Sequence, residues 1–290
     1  MLIGLMGEIV DRNRRAKIIR GNFHTLWCRM ILLAVILFLY MPIAVLVVFS
    51  FNDSRRNITW QGFTMKYYNK LLANDGLMDA FLNSFSIAIF STLVSLILGT
   101  LTAIFLWRFR FPLKHLYQGI ILLPVVIPEI CIGIAFLMFF NQIGWPHDLP
   151  WPFNLFKIAF AHILFCFPFV AIIIRAKLSG FNREQEEAAI DLGAGVVRVF
   201  WDVWLPYLKP SFIASSLLAF TLSLDDFVIT FFTSDPNTVT IPIKIFSMVR
   251  FSVTPEINAA STILIGVTIL SALTAMLIQR ENVVGEKPEW

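Results

Sequence analysis

Charge is what this sequence lacks most. Only 14% of its 290 residues are Asp, Glu, Lys or Arg, against roughly 25% in an ordinary soluble domain. Hydrophobic residues make up 58%, and the mean hydropathy is +0.76. So much apolar surface cannot be hidden in an aqueous core of this size, so lipid must be the solvent for much of it. Cysteine is scarce as well. Cys28, Cys131 and Cys166 have no C-x-x-C spacing, and an odd count argues against a disulfide framework. Small packing side chains in or beside apolar runs is the simpler role. The four histidines, His24, His115, His147 and His162, are far apart and lack metal-ligand spacing. G-x-x-x-x-G-K-[ST], H-E-x-x-H and G-x-S-x-G are all missing, so neither a P-loop, a zinc protease nor a serine hydrolase is written here. The formal charge of +4 and the pI near 9.0 come without a basic stripe interleaved with aromatics, which removes the case for nucleic acid. No cofactor and no metal are implied. Any driving energy must come from a gradient or from another polypeptide.

Six apolar runs are present, at residues 30–51, 81–107, 117–140, 155–174, 211–232 and 257–278. Each holds about 20 residues or more, enough to cross a ~30 Å hydrocarbon core as a helix. Basic residues precede the first, but it is too long for a signal h-region and no small-x-small cleavage site follows, so it is read as a retained helix. The basic residues also set orientation. With the N-terminus in the cytoplasm, sixteen of the 23 Lys and Arg fall inside, among them Arg12, Arg29, Arg108, Arg175, Arg198 and Arg280. Seven fall outside: Arg55, Arg56, Lys66, Lys70, Lys157, Lys244 and Arg250. The bias predicts both termini inside. The chain then divides into a cytoplasmic segment 1–29, a six-helix domain 30–279 and a cytoplasmic tail 280–290.

Within the second run, Ser91, Ser95, Gly99 and Ala103 recur every four residues. They form one row of small side chains that another backbone can approach closely, inside this chain or in a partner. Trp60, Phe63, Tyr67 and Tyr68 in the first outer loop suit a membrane interface, and Thr64 is placed to cap a short helix there.

The loop between the fourth and fifth runs, 180–210, is the informative segment. Asn182 caps a helix, with Gln185 at its third position completing a capping box. Ala188, Ala189 and Leu192 form an apolar face, and Gly193 ends the helix in a left-handed conformation. After Gly195, Val196, Val199, Phe200 and Val203 repeat at helical spacing. Pro206 is expected to end that second element, and Pro210 to open the fifth membrane helix. The prediction is two short amphipathic helices joined by a glycine elbow.

Three acids lie inside apolar runs. Glu129 stands roughly 12 residues into the third run, about 18 Å along a straight helix. Asp225 and Asp226 lie in the outer half of the fifth. A carboxylate at such depth is costly and should face a cavity or a partner, or cap a broken helix. Pro124 and Pro128 before Glu129 weaken the local backbone ladder, as happens beside transport pathways. Since adjacent helical residues point ~100° apart, one of the aspartates is expected on the pathway and the other toward a partner. His162 reads as a hydrogen-bonded packing histidine.

The segment Glu187-Ala188-Ala189, three residues, Gly193, nine residues, Val203, one residue, Leu205-Pro206 resembles the EAA loop of inner-membrane permeases of ABC importers. The family usually has Ile at the position of Val203, and many members have Ser at that of Gly195. The likeness extends over most of the chain and looks greatest to the C-type subunit of the spermidine/putrescine permease branch. It is carried by Phe51-Asn52-Asp53-Ser54, Trp60-Gln61-Gly62-Phe63-Thr64, Ile190-Asp191-Leu192-Gly193-Ala194, Ser223-Leu224-Asp225-Asp226, Pro242-Ile243-Lys244-Ile245-Phe246 and Pro255-Glu256-Ile257-Asn258-Ala259.

The resemblance implies an all-α, type I importer-like permease in a bacterial inner membrane. It forms half of a polyamine pathway that works by alternating access. Expected partners are an ATPase dimer, a second permease and an extracytoplasmic binding protein, besides lipid. Glu187, Ala188, Ala189, Gly193, Leu205 and Pro206 couple the chain to the ATPase, with Glu187 and Gly193 at the centre of the docked loop. Two alternatives stay open: a permease for another small solute, whether amine, amino acid or inorganic ion, and a gradient-driven transporter or channel. The second leaves the EAA loop without a purpose. An intramembrane enzyme is disfavoured by the missing nucleophile and metal spacing.

Overall fold

In hydrocarbon a lone chain segment can satisfy its backbone groups only by coiling into a helix. The computed structural model describes residues 27–54, 59–146, 148–251 and 255–284. The expected cytoplasmic segment up to residue 26, Arg55, Arg56, His147 and the tail from residue 285 lie outside the described residues. Among the described residues there is no strand, only an isolated antiparallel bridge between Asn52 and Phe63. The first helix, α1, spans Trp27–Phe49. It is followed by α2 (Lys66–Leu72), α3 (Asp75–Arg108), α4 (Lys114–Val126) and α5 (Glu129–Gln142). A 3-10 turn, Phe153–Leu155, leads into α6 (Phe156–Leu178), then come α7 (Arg183–Asp191) and α8 (Val196–Val199). A π turn, Phe200–Trp204, joins α8 to α9 (Leu205–Leu224), and α10 (Val228–Thr233), α11 (Ile241–Phe251) and α12 (Pro255–Val284) complete the series.

Five of these segments are long and apolar enough to cross a membrane, and α4 with α5 supplies a sixth span if that bent pair counts as one. The third run is not the straight helix expected from its length. It bends by 102° between α4 and α5, because Pro128 lacks an N–H and its ring holds Ile127 in extended backbone. The fifth run also breaks. α9 ends at Leu224, Asp225, Asp226 and Phe227 interrupt the helix, and α10 begins at Val228. At the other end of the fifth run, Pro206 does not end the second loop helix. It sits in the first turn of α9, where a missing N–H costs little. The preceding π turn, closed by Leu205 N–H on the Phe200 carbonyl, carries the helix into the proline without interruption. Pro210 lies inside α9 and does not open it.

Helices α3, α6 and α9 build the centre of the bundle. Ala103, Ala161, Cys166, Val170, Ile174, Leu208 and Ala219 meet there. The row Ser91, Ser95, Gly99 and Ala103 is fully buried and packs within the chain. Ser91 Oγ lies 2.9 Å from Ser223 Oγ on α9, and Ser95 Oγ donates to the Ile163 carbonyl on α6 at 3.4 Å. At Gly99 a Cβ would stand 2.7 Å from Val170 Cβ and 2.9 Å from the Phe167 carbonyl oxygen, so only hydrogen lets α3 and α6 approach this closely.

A second cluster joins Tyr67 and Leu71 of α2 to Leu77 of α3 and Ala259 and Ala260 of α12. The short helix expected in the outer loop is α2. Thr64 Oγ1 accepts from Lys66 N–H at 3.2 Å, although the capping position itself is Met65. Lys157, counted above as an outer-loop charge, is buried on α6 and pairs with Asp235 at 3.2 Å. By contrast, no residue of α1 is buried; Leu46, Val47 and Phe49 at its far end are half-buried, and the first buried residue is Ser50, just after it.

Candidate functional site

Two places combine polar chemistry with exposure. The first is the loop between α6 and α9. Asn182 caps α7 as expected, its Oδ1 accepting from Glu184 N–H at 3.0 Å. The side chain that returns to the cap is that of Glu184, whose Oε2 accepts from Asn182 Nδ2 at 3.1 Å, and not that of Gln185. At the other end Gly193 has φ +86°. Its N–H donates to the Ile190 carbonyl at 2.8 Å, and Ala194 N–H donates to the Ala189 carbonyl at 3.0 Å. These two bonds close a helix in the Schellman manner, which needs a left-handed residue at that position.

The expected apolar face of Ala188, Ala189 and Leu192 does not pack inward. Leu192 is 89% exposed, Val196 87% and Val197 73%. Glu187 and Ala188 are also exposed, and Ala189 is half-buried. The inward face belongs instead to Glu186, which accepts two bonds from Arg108 Nη1 at 2.5 and 2.7 Å. An aromatic cluster lies on one side of this pair, with Arg108 5.9 Å over the Trp204 ring. Trp107 meets Trp204 at 5.7 Å and Phe181 at 5.9 Å between centroids, and Phe181 meets Tyr207 at 5.1 Å. Arg183 lies 4.7 Å over the Trp107 ring. Neither Arg108 nor Glu186 carries a local mark of this pairing: in the sequence one is a topology charge and the other a neighbour of the motif glutamate. The signal available was the spacing of Glu186 and Ala189, which places them together on one side of α7.

The second place is where the two broken runs meet. α10 packs chiefly against α5. Gly133 admits the Phe232 ring, since a Cβ there would come within 2.6 Å of Phe232 Cδ2. The packing brings Glu129, the first residue of α5, within electrostatic reach of Asp225 at the end of α9. Both carboxylates are exposed on the surface of this chain. Phe227 follows Asp225 by two residues, and its ring is 5.6 Å from that of Phe231, which is 50% exposed, and 4.8 Å from that of Phe246.

Asp226 is turned the other way. It is buried at 9% exposure, and its Oδ2 accepts from Thr230 N–H at 2.8 Å and Thr230 Oγ1–H at 2.7 Å. Its Oδ1 accepts from Ile229 N–H at 3.3 Å. Instead of facing a partner, it caps α10 from inside its own bundle, because the chain break frees those N–H groups and a carboxylate satisfies them best. His162 stands behind it, with Nε2 2.9 Å from Thr230 Oγ1 and 3.3 Å from Asp226 Oδ2, and Nδ1 2.7 Å from Ser223 Oγ. The chain Ser91–Ser223–His162–Thr230–Asp226 therefore links α3, α9, α6 and α10 through buried polar contacts. Among the described residues no group of three or more His, Cys, Asp or Glu is arranged to hold a metal ion.

Known proteins resemble this chain over nearly all its length. It is 37% identical over 269 residues to the spermidine/putrescine transport system permease protein PotC of Escherichia coli (strain K12), covering 93% of this chain and 97% of that protein. It is 41% identical over 245 residues to the putrescine transport system permease protein PotI of the same strain, covering 83% and 86%. Among solved structures, a bacterial ABC transporter involved in the import of the acidic polysaccharide alginate matches with a TM-score of 0.66 at 18% identity, covering 88% of this chain and 95% of that one. That likeness shows the shared fold. Residues 95–283 match the family described as binding-protein-dependent transport system inner membrane component. The paired helix breaks and the elbow loop on an all-helical, lipid-exposed bundle are thus those of a transport subunit, and this chain belongs to the family of inner-membrane permeases of ABC importers.

Proposed function

We propose that this permease carries polyamines and is driven from its elbow loop by a separate ATPase. The observation that carries the substrate reading is the pair of exposed carboxylates, Glu129 and Asp225, at two helix breaks in otherwise apolar spans. A polyamine presents two or more ammonium groups separated by methylene stems. Spaced acids beside aromatic faces match that pattern, with the ring of Phe231 available for cation–π contact. Asp226 shapes the break behind them. Identity to permeases named for spermidine and putrescine supports the same substrate class. Because a separate binding protein selects the ligand, these acids form a transit surface and not a tight site.

The drive enters at the elbow. Leu192, Val196 and Val197 are bare around Gly193, with Glu187 and Ala188 beside them, on a loop that has no lipid to cover it. An apolar patch rimmed by charge suits a protein partner. The ATPase dimer docks there, Leu205 and Pro206 lead its motion into α9, and a second permease completes the pathway. ATP binding draws the loops together and the helices rock to open the outer side. Both termini lie in the cytoplasm, with 1–29 and 280–290 flanking the permease domain 30–279.

The test is uptake by the assembled transporter in proteoliposomes. Labelled spermidine and putrescine should enter only with ATP and binding protein, and Asp225→Asn and Glu129→Gln should each slow uptake. Uptake of an anion such as sulfate with no response to polyamines would overturn the substrate reading.

A further inference from the structure

The two adjacent glutamates of the elbow loop stand in different surroundings. Glu187 faces solvent, whereas Glu186 is buried at 6% exposure and holds Arg108 through both oxygens. Arg108 is the last residue of α3, the longest helix among the described residues and the one that packs most extensively on α6 and α9. Its guanidinium also lies 5.9 Å over the ring of Trp204 in the π turn. Three separate segments, the end of α3, the helix α7 and the entry to α9, therefore converge on one ion pair.

The covalent links to α7 are soft by comparison. Gly180 precedes it, and Gly193 and Gly195 follow it. Glycine at both ends lets α7 pivot without dragging the chain on either side. Force applied to α7 needs a noncovalent route into the bundle. An ion pair in which the buried Glu186 carboxylate grips Arg108 through both oxygens supplies one, since parting its members strands a buried carboxylate.

We propose that Glu186 and Arg108 are a positioning pair that latches the elbow loop to α3, so that loop displacement moves the helix core instead of flexing α7 alone. α3 passes the motion on through Ser91, whose hydroxyl meets Ser223 two residues before Asp225. The two glutamates divide the work: Glu187 toward the ATPase, Glu186 toward the membrane. This rests on the reading that the ATPase docks on the loop.

The experiment measures ATP hydrolysis, ATPase-subunit recovery and polyamine uptake on the same reconstituted transporter. Glu186→Gln and Arg108→Gln should keep the ATPase bound and hydrolysing while uptake per ATP falls by on the order of fivefold or more, the low end of coupling between linked sites. Glu186→Asp should restore part of that ratio. The exchange Arg108→Glu with Glu186→Arg should recover more uptake per ATP than either single reversal, as a direct pair requires. Wild-type uptake per ATP in Glu186→Gln overturns the latch. If the single variants fail to assemble, the exchange decides: recovered coupling supports the pair, and assembly without coupling overturns it. Glu187→Lys with full ATPase recovery overturns the docking reading underneath instead.

Discussion

Replacing Asp226 by asparagine distinguishes a structural acid from a transport acid, because the side chain keeps its shape and loses its charge. In the wild-type chain Oδ2 accepts two bonds from Thr230 at 2.8 and 2.7 Å, and Oδ1 accepts one from Ile229 N–H at 3.3 Å. An asparagine can put its oxygen at only one of these positions. With the oxygen toward Thr230, the amide NH2 faces the Ile229 N–H, donor against donor. The buried site then loses one bond and the charge assistance of the other two, at a cost of roughly 1.5–3 kcal/mol. For a chain of this length that corresponds to a Tm lower by roughly 3–12 °C, at about 2–4 °C per kcal/mol. Asp225 is exposed and carries no comparable side-chain bonds among those described, so Asp225→Asn should stay within about 0.5 kcal/mol of wild type. Thermal melting of the purified transporter and uptake per folded complex are read together. Asp226→Asn should melt early and transport nearly normally once folded. Asp225→Asn should melt normally and transport slowly. An Asp226→Asn variant with wild-type Tm, or an Asp225→Asn variant that melts early, refutes the division.

Two backbone positions give further checks. At Gly193 an added Cβ meets no atom within 4 Å, so Gly193→Val is penalised only by its left-handed φ, on the order of 1–2 kcal/mol. Membrane insertion should be normal and ATPase recovery reduced, while Gly193→Asn, which tolerates that conformation, should recover more; equal recovery in both would remove the elbow from the mechanism. Gly99→Ala must push α3 from α6 at Val170 and should destabilise by about 1–3 kcal/mol. Gly119→Ala on α4, with open space around it, should be neutral or stabilising by about 0.5–1 kcal/mol. Indistinguishable melting of these two variants would show that the α3–α6 contact is looser than the geometry requires.

How legible the site was depends on whether its signal is local. Gly193 could be placed because a helix that ends in a Schellman turn needs a residue free to take positive φ two positions past its last helical residue, and glycine is the residue that does so cheaply. The Asn182 cap was legible for the same reason, although the returning side chain was misassigned by one residue: both Glu184 and Gln185 are long enough, and only the built turn chooses between them. The ion pair of Glu186 with Arg108 had no such signature. Its members are 78 residues apart, and nothing near either one announces the other. Leu192 misled in the opposite direction. An apolar residue at helical spacing normally packs inward, but here the bundle's inward face is taken by a charged pair and the leucine is left bare.

Sequence alone determined that this chain lives in lipid as six apolar runs, that prolines weaken the third, and that a capped helix ending in a glycine elbow precedes the fifth. Each follows from local composition, periodicity or a residue with restricted φ and ψ. Tertiary structure alone decided which way the carboxylates turn. Glu129 and Asp225 are 96 residues apart in the sequence, and they share a surface only because α5 and α10 pack together through Gly133 and Phe232. Asp225 and Asp226 are neighbours with the same chemistry, and the break between α9 and α10 sends one outward and the other onto bare N–H groups. That choice depends on where the chain stops being helical in three dimensions, and a run of apolar residues carries no mark of it.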